Sequence, residues 1–444
     1  MAGGRISQDA RTLNRAEILN KKVIAWSLYD WANSAFALSV LAVLYPLFLG
    51  SYWSVGDSGA SVTARLAWIT AGASAIVSIL APIFGTIADT GGYRKRFLLV
   101  LALIGASMTA MLGFVGEGNW PWALGLYLLA SIGYYSSTVF YDSLIIDVTT
   151  PRNYSFVSSL GFSLGYLGGA MLLALHVWML TSPATFGLAS PTEAMKFAFI
   201  SVGVWWAVFL LPLIAFVPEH RSGIAVSAHV VRAAYRELQS TIHEIRRYRD
   251  VVFFLIAYWL YIGGVFTVIF MAANYGQRLG FTQQDLVKAL MITNFVGFPA
   301  TLLYGFFGHR YGPKLGIYFA LVVYVAVSSW AVFMTDVRQF YIMAIIIGCV
   351  QGGVQGLSRS LYASLIPPGQ PGEFFGFYNM VTKFSHVLGP VLVGLAATFS
   401  EDPKFVLLIL LPLFIGGALL LRQIPGAASR PDPQGRNGHR DRLT

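Results

Sequence analysis

Long apolar stretches separated by short polar ones set the rhythm of this chain. Runs of roughly 20 or more residues with few charges, enough to cross a bilayer as a helix, fall at 23–50, 62–88, 97–115, 122–147, 154–180, 195–217, 251–275, 286–308, 315–335, 339–366, 374–398 and 404–422. Surrounded by lipid, backbone amides and carbonyls find no water, and a helix satisfies them within one segment. The pattern predicts an all-α membrane protein with twelve transmembrane helices. The longest interior polar interval, 218–250, divides them six and six. The expected organisation is a tail at 1–22, a six-helix bundle at 23–217, a linker at 218–250, a second bundle at 251–424 and a disordered tail at 425–444, rich in Pro, Gly, Asn and Arg. Within the linker, Val230, Val231, Ala234, Leu238, Ile242 and Ile245 alternate with charges in a helical pattern. That pattern suits an amphipathic helix lying on the membrane surface at 228–248, with a plain solvated linker as the alternative.

Composition agrees with this class. The chain is 56% hydrophobic and 11% charged, with a mean hydropathy of +0.64. Its net charge of +10 would suit nucleic acid, but the placement of the charge argues against such a partner. With an even number of spans both termini share one side, and most Lys and Arg lie there. Only Arg65, Lys196, Arg278, Lys288, Arg338 and Lys404 fall on the other side. The positive-inside rule then puts both termini in the cytoplasm, with the basic charge facing anionic headgroups. The residues before 23 show no short apolar region followed by a small-residue cleavage site, so the first span is expected to stay as a membrane helix. The single cysteine, Cys349, excludes an intrachain disulfide and a cysteine-cluster metal site. No metal or other cofactor is expected. Trp120, Trp122, Tyr52 and Trp53 are expected in an interfacial belt.

The two halves of the chain repeat. Leu28-Tyr29-Asp30 in the first span matches Leu260-Tyr261-Ile262 in the seventh, and YDSLI at Tyr141–Ile145 matches YASLI at Tyr362–Ile366. The turn from Gly85, GTIADTGGYRK, matches GFFGHRYGPK from Gly305. Parallel six-helix repeats of this kind build the major facilitator fold, with solute bound between the halves near the midplane. In the first turn Gly85 and Gly92 permit tight chain reversal. Arg94 and Lys95 suit a headgroup boundary. Asp89 suits the positive end of a neighbouring helix. This spacing resembles the superfamily's conformational motif between its second and third helices. The second copy keeps Gly305, Arg310 and Gly312 but has His309 in the aspartate position.

Three stretches carry a narrower resemblance: YDWANSAFA at Tyr29–Ala37, GYLGG at Gly165–Gly169, and GGVQGLSRSLYASLIPPGQPGEFFGFYNMVTKFSHVLGP at Gly352–Pro390. Together they resemble the vacuole-effluxer family, the autophagy-related amino-acid effluxers and their bacterial relatives, over about 20–425. The resemblance implies a secondary transporter, and for the fungal branch amino-acid export. The absence of large loops is closer to the bacterial branch, which implies an inner-membrane location. The chain departs from the pattern at Tyr261–Gly264, YIGG, where family members often carry a polar or acidic residue before the glycine.

Charges inside the spans are asymmetric. Asp30, Asp89 and Asp142 of the first half stand opposite Ile262, His309 and Ala363 of the second, which instead carries Arg359, Lys383 and His386. Charges in hydrocarbon pair, so Asp30, Asp142 or Asp147 is expected to pair across the halves with Arg359 or Lys383 and close a cytoplasmic gate. Gln351, Gln355 and Arg359 share one helix face, and a guanidinium suits a carboxylate ligand. Tyr134, Thr138, Tyr141 and Asp142 form a comparable stripe, as do Asp30, Asn33 and Ser34. The substrate-binding candidates are therefore Asn33, Tyr134, Thr138, Tyr261, Gln351, Gln355 and Arg359. Asp30 and His386 are the proton-coupling candidates, with Asp142, Asp147 and Lys383 in gating.

The leading reading is a monomeric secondary transporter of a small polar organic solute, an amino acid or related carboxylate, coupled to protons and working by alternating access. Its partners are the solute, a coupling proton and membrane lipid. An exporter or flippase of amphipathic compounds is the alternative within transport, and a non-transporting receptor or scaffold is the alternative outside it. No GxxxxGK[ST], HExxH or nucleophile-elbow run occurs, so ATP-driven transport and enzymatic chemistry find no support.

Overall fold

The computed structural model describes residues 15–219, 236, 238–241, 245–367, 369–399 and 408–424. The expected surface helix at 228–248 lies largely outside the described residues, and the expected disordered tail from 425 lies wholly outside them. All regular structure among the described residues is helical. The long helices are α1 Lys21–Trp53, α2 Gly59–Gly91, α3 Arg94–Leu112, α4 Trp120–Ser143, α5 Tyr154–Thr181 and α6 Pro191–Phe216. After the linker come α7 Arg249–Arg278, α8 Gln283–Tyr311, α9 Pro313–Ala331, α10 Val337–Leu365, α11 Pro371–Phe399 and α12 Leu411–Arg422. Among the described residues, ten apolar helices are long enough to cross a membrane, counting Arg249–Ile269 of α7, and α12 is a shorter apolar helix.

Polar residues at the boundaries start and stop these helices. Ser58 and Ser190 accept the first free amides of α2 and α6, and Thr282 with Asp285 forms a reciprocal capping box on α8. α2 ends where Gly92 turns left-handed at φ 67°. α1 is irregular: beyond Ala35 it winds as a π-helix over Phe36–Leu44 and again over Leu49–Trp53. Such widened turns are rare and concentrate near functional positions. The interfacial belt is only partly as expected. Trp122 is exposed, whereas Trp53 is buried and donates its Nε1–H to the Val115 carbonyl.

Packing follows one scheme in each half. In the first, α1 lies on α5 and α6, α3 on α4 and α6, and α2 on α4; in the second, α7 lies on α11 and α12, α9 on α10 and α12, and α8 on α10. The halves meet along α2 with α11, α5 with α8 and α10, and α4 with α11. Small residues let backbones approach there, the usual basis of helix association in lipid. A Cβ on Gly85 would collide with the Gly372 carbonyl across the α2–α11 contact.

Candidate functional site

α10 carries Arg359 one and a half turns from its C-terminal end, against α5, and the side chain is 1% exposed. A guanidinium in this position needs its donors met, because an unpaired buried charge is costly. Nη1 donates to Asp142 Oδ1 on α4 at 2.9 Å, and Nη2 lies 3.5 Å from Asp30 Oδ2 on α1. Nε donates to Ser158 Oγ at 2.8 Å and Nη2 to the Ser158 carbonyl at 2.8 Å, both on α5. The rings of Phe162, Trp26 and Tyr141 face the guanidinium at 4.2, 4.9 and 5.1 Å. One residue of the second half is thus held by three helices of the first.

Further bonds fix the two carboxylates. Asn379 of α11 donates to Asp142 Oδ2 at 3.1 Å, and Tyr141 donates its hydroxyl to Asp30 Oδ2 at 2.8 Å. Trp26 stacks on Tyr141 and donates to that residue's carbonyl at 2.9 Å. Beside the lock, Ser158 donates to the Gly356 carbonyl and Ser155 meets Ser360 at 2.9 Å, again between halves. With both carboxylates ionised, Asp30, Asp142 and Arg359 carry one net negative charge.

A second junction lies nearer the helix ends. Asp89 accepts the amides of Gly372 at 3.0 Å and Glu373 at 2.9 Å, the first turn of α11, whose N-terminus is the positive end of its dipole. Arg94 lies between Asp89, at 3.5 Å, and Asp147, at 3.0 Å. Lys95 donates to the Ile214 and Val217 carbonyls at the C-terminus of α6. In the second copy of the turn, His309 meets the Arg152 carbonyl at 3.0 Å. These junctions and the Arg359 lock all sit toward the end of the bundle where α1 begins and α12 ends. Farther from that end, Gln355 donates to the Tyr166 hydroxyl at 3.3 Å and Ser163 to the Phe298 carbonyl at 2.7 Å, again between halves.

The structure therefore joins Asp30, Asp142 and Arg359 as expected from their charges, but not Asp147 or Lys383. Asp147 pairs with Arg94 inside its own half, because α4 breaks after Ser143 and a separate turn, Ile145–Val148, redirects it. Lys383 meets the Tyr135 ring at 3.3 Å and, among the described residues, forms no ion pair with a carboxylate, although it feels the charge of Asp142. The side chain of His386 lies outside the described residues. Asn33 is buried at the α1 face of the first half. Tyr134 packs on Phe36 and Trp206, Thr138 bonds back to the Tyr134 carbonyl, and Tyr261 meets Ser358 at 2.7 Å. Gln351 lies one turn beyond Gln355 on α10 and is partly buried.

Sequence reasoning missed Ser158, Phe162, Trp26 and Asn379. Two of these were within reach: Trp26 is one turn before Asp30 and Asn379 one turn before Lys383, so extending each polar face by a turn finds them. Ser158 and Phe162 carry no such signal, since their role depends on α10 docking against α5. Among the described residues no group of three or more His, Cys, Asp or Glu could hold a metal ion.

A family model described as "Vacuole effluxer Atg22 like" matches residues 59–153 and 147–432. The chain is 36% identical over 420 residues to an uncharacterized MFS-type transporter, YxiO, of Bacillus subtilis, covering 94% of this chain and 98% of the relative. Autophagy-related protein 22 of Yarrowia lipolytica is 26% identical over 291 residues, 58% of this chain and 48% of that one. The human organic anion transporter MFSD10 (TETRAN) has a similar structure, with a TM-score of 0.69 at 16% identity, covering 92% of this chain and 100% of that one. That likeness is one of fold. These relatives are transporters rather than enzymes, as the missing catalytic motifs led one to expect.

Proposed function

The chain belongs to the Atg22-like vacuole effluxer family of the major facilitator superfamily, and on that footing we propose that it is a secondary active transporter of a small polar organic solute, an amino acid or related carboxylate. The observation that carries the reading is the Arg359 lock, which ties the two halves together toward the end of the bundle where α1 begins. A lock of this kind closes one access route and breaks when the halves rock. The matching packing schemes support two six-helix repeats and twelve membrane helices. The distribution of basic residues supports cytoplasmic termini, in a bacterial inner membrane, and hence a lock that closes the cytoplasmic side. The working unit is a monomer.

Proton coupling is assigned to Asp30. It shares one guanidinium with Asp142, so a proton on Asp30 removes the surplus negative charge without dismantling the 2.9 Å Arg359–Asp142 pair. The test uses purified protein in liposomes loaded with a pH-sensitive dye, challenged with amino acids and small carboxylates. Solute-dependent pH change, abolished by Asp30→Asn while tracer counterflow persists, is the expected result. Folded protein that gives neither pH change nor counterflow with any of these solutes would overturn the transport reading.

A further inference from the structure

Two Lys or Arg side chains are buried among the described residues, Arg359 and Lys383. Their surroundings differ in kind. Arg359 is surrounded by carboxylate, hydroxyl and carbonyl oxygens. Lys383, 7% exposed on α11, has no hydrogen-bonding oxygen among the described residues; its ammonium rests on the Tyr135 ring of α4 at 3.3 Å from the centroid, within electrostatic reach of Asp142. The ring sits in an apolar patch with Val77, Ala81 and Val139, from α2 and α4. Ammonium is compact and strongly hydrated, so removing its water for one aromatic face leaves a deficit that the cation–π attraction only partly offsets. Half-buried cations elsewhere do better: Lys95 and Lys314 both donate to carbonyls at helix ends.

Position gives the deficit a meaning. Asn379, which holds Asp142, lies one turn before Lys383 on α11. The backbone of Lys383 therefore lies about 6 Å farther along α11 than that of Asn379, away from the closed end. Tyr135 is displaced the same way along α4 from Asp142. A solute arriving from the opposite end of the bundle meets Lys383 before it meets Arg359, whose donors are already engaged. Because Lys383 belongs to the second half and Tyr135 to the first, an anion on this ammonium also lies between the parts that move.

We infer that Lys383 is the residue that receives the solute's carboxylate, and that the Tyr135 ring holds its ammonium until the solute displaces it. The inference rests on the transport reading and narrows its substrate to solutes with one negative group. A single ammonium neutralises one charge, and a dianion such as phosphate would bring a second unpaired charge into the same apolar patch.

The test is ligand-dependent thermal stabilisation of the purified full chain in detergent, with lactate, pyruvate and leucine against lactamide, succinate and inorganic phosphate. At least one monocarboxylate, and none of lactamide, succinate and phosphate, is expected to stabilise the wild type. Lys383→Gln should lose that shift and weaken binding at least tenfold, and Lys383→Arg should keep it. Tyr135→Leu separates recognition from structure: freeing the ammonium of its competitor should tighten carboxylate binding roughly tenfold, as expected from a cation–π contact of this kind, whereas a purely structural ring would weaken it or leave it unchanged. Equal carboxylate binding in Lys383→Gln overturns the inference. So does a wild type that no monocarboxylate stabilises, or weaker binding in Tyr135→Leu. Counterflow of a neutral solute in liposomes would then show that transport stands while the carboxylate assignment has failed.

Discussion

Replacing Asp142 by Asn tests the lock most directly. The amide keeps the size of the carboxylate but removes its charge from a pair 2.9 Å long between side chains 1% and 6% exposed. Arg359 retains Asp30 at 3.5 Å and both Ser158 oxygens, so the guanidinium is weakened rather than stranded. Breaking a buried pair costs roughly 3–5 kcal/mol when one partner is lost outright. With the remaining partners, about 3 kcal/mol is the appropriate figure, and it applies to the closed form alone because the open form has no lock. That shifts the closed–open balance by roughly a hundredfold. Ser360 reports the shift. It is 2% exposed and bonded to Ser155 across the halves. In a Cys349→Ser background, Ser360→Cys in inside-out vesicles should react with a water-soluble maleimide about a hundredfold faster when Asp142→Asn is added, until opening saturates. Arg359→Gln should do the same, and the double variant should resemble either single one, as members of one interaction do. Labelling within twofold of the parent in folded Asp142→Asn protein would refute the lock.

Asp89→Asn removes the charge from two amide bonds at the start of α11. It should destabilise the same closed form by about 1–2 kcal/mol, read as faster labelling of the same cysteine with little change in global melting temperature. Gly161→Ala puts a methyl 2.6 Å from the Tyr141 hydroxyl and 2.9 Å from Asp30 Oδ2. It should slow transport and loosen the lock while a matched Gly125→Ala, where a Cβ meets nothing within 4 Å, leaves labelling unchanged. Asp30→Asn should separate coupling from movement, with solute counterflow retained and solute-driven pH change lost in the dye-loaded liposomes.

Much of this protein was legible in the order of its residues. The length and spacing of the apolar runs determined a helical membrane protein, since lipid leaves the backbone no other economical partner. The quoted signatures also turn out to be parts of one structure. GYLGG on α5 packs onto YDWANSAFA on α1: a Cβ on Gly165 would lie 2.6 Å from Ser34 Oγ, and one on Gly168 would lie 2.8 Å from the Trp31 carbonyl oxygen. The charge asymmetry between halves foretold that acid and base would meet, because isolated charges are not kept in hydrocarbon.

Which acid meets which base was decided only by the tertiary structure. Asp30, Asp142 and Asp147 look equivalent along the chain, yet the break after Ser143 turns Asp147 back toward Arg94. Arg359 and Lys383 look equivalent too. The docking of α10 on α5 surrounds one with oxygens, and the docking of α11 on α4 lays the other on a ring. A sequence fixes each residue's phase and depth on its own helix. The partners of a side chain depend on the rotation and approach of a neighbouring helix hundreds of residues away, set by the sum of many small packing contacts that no local pattern records.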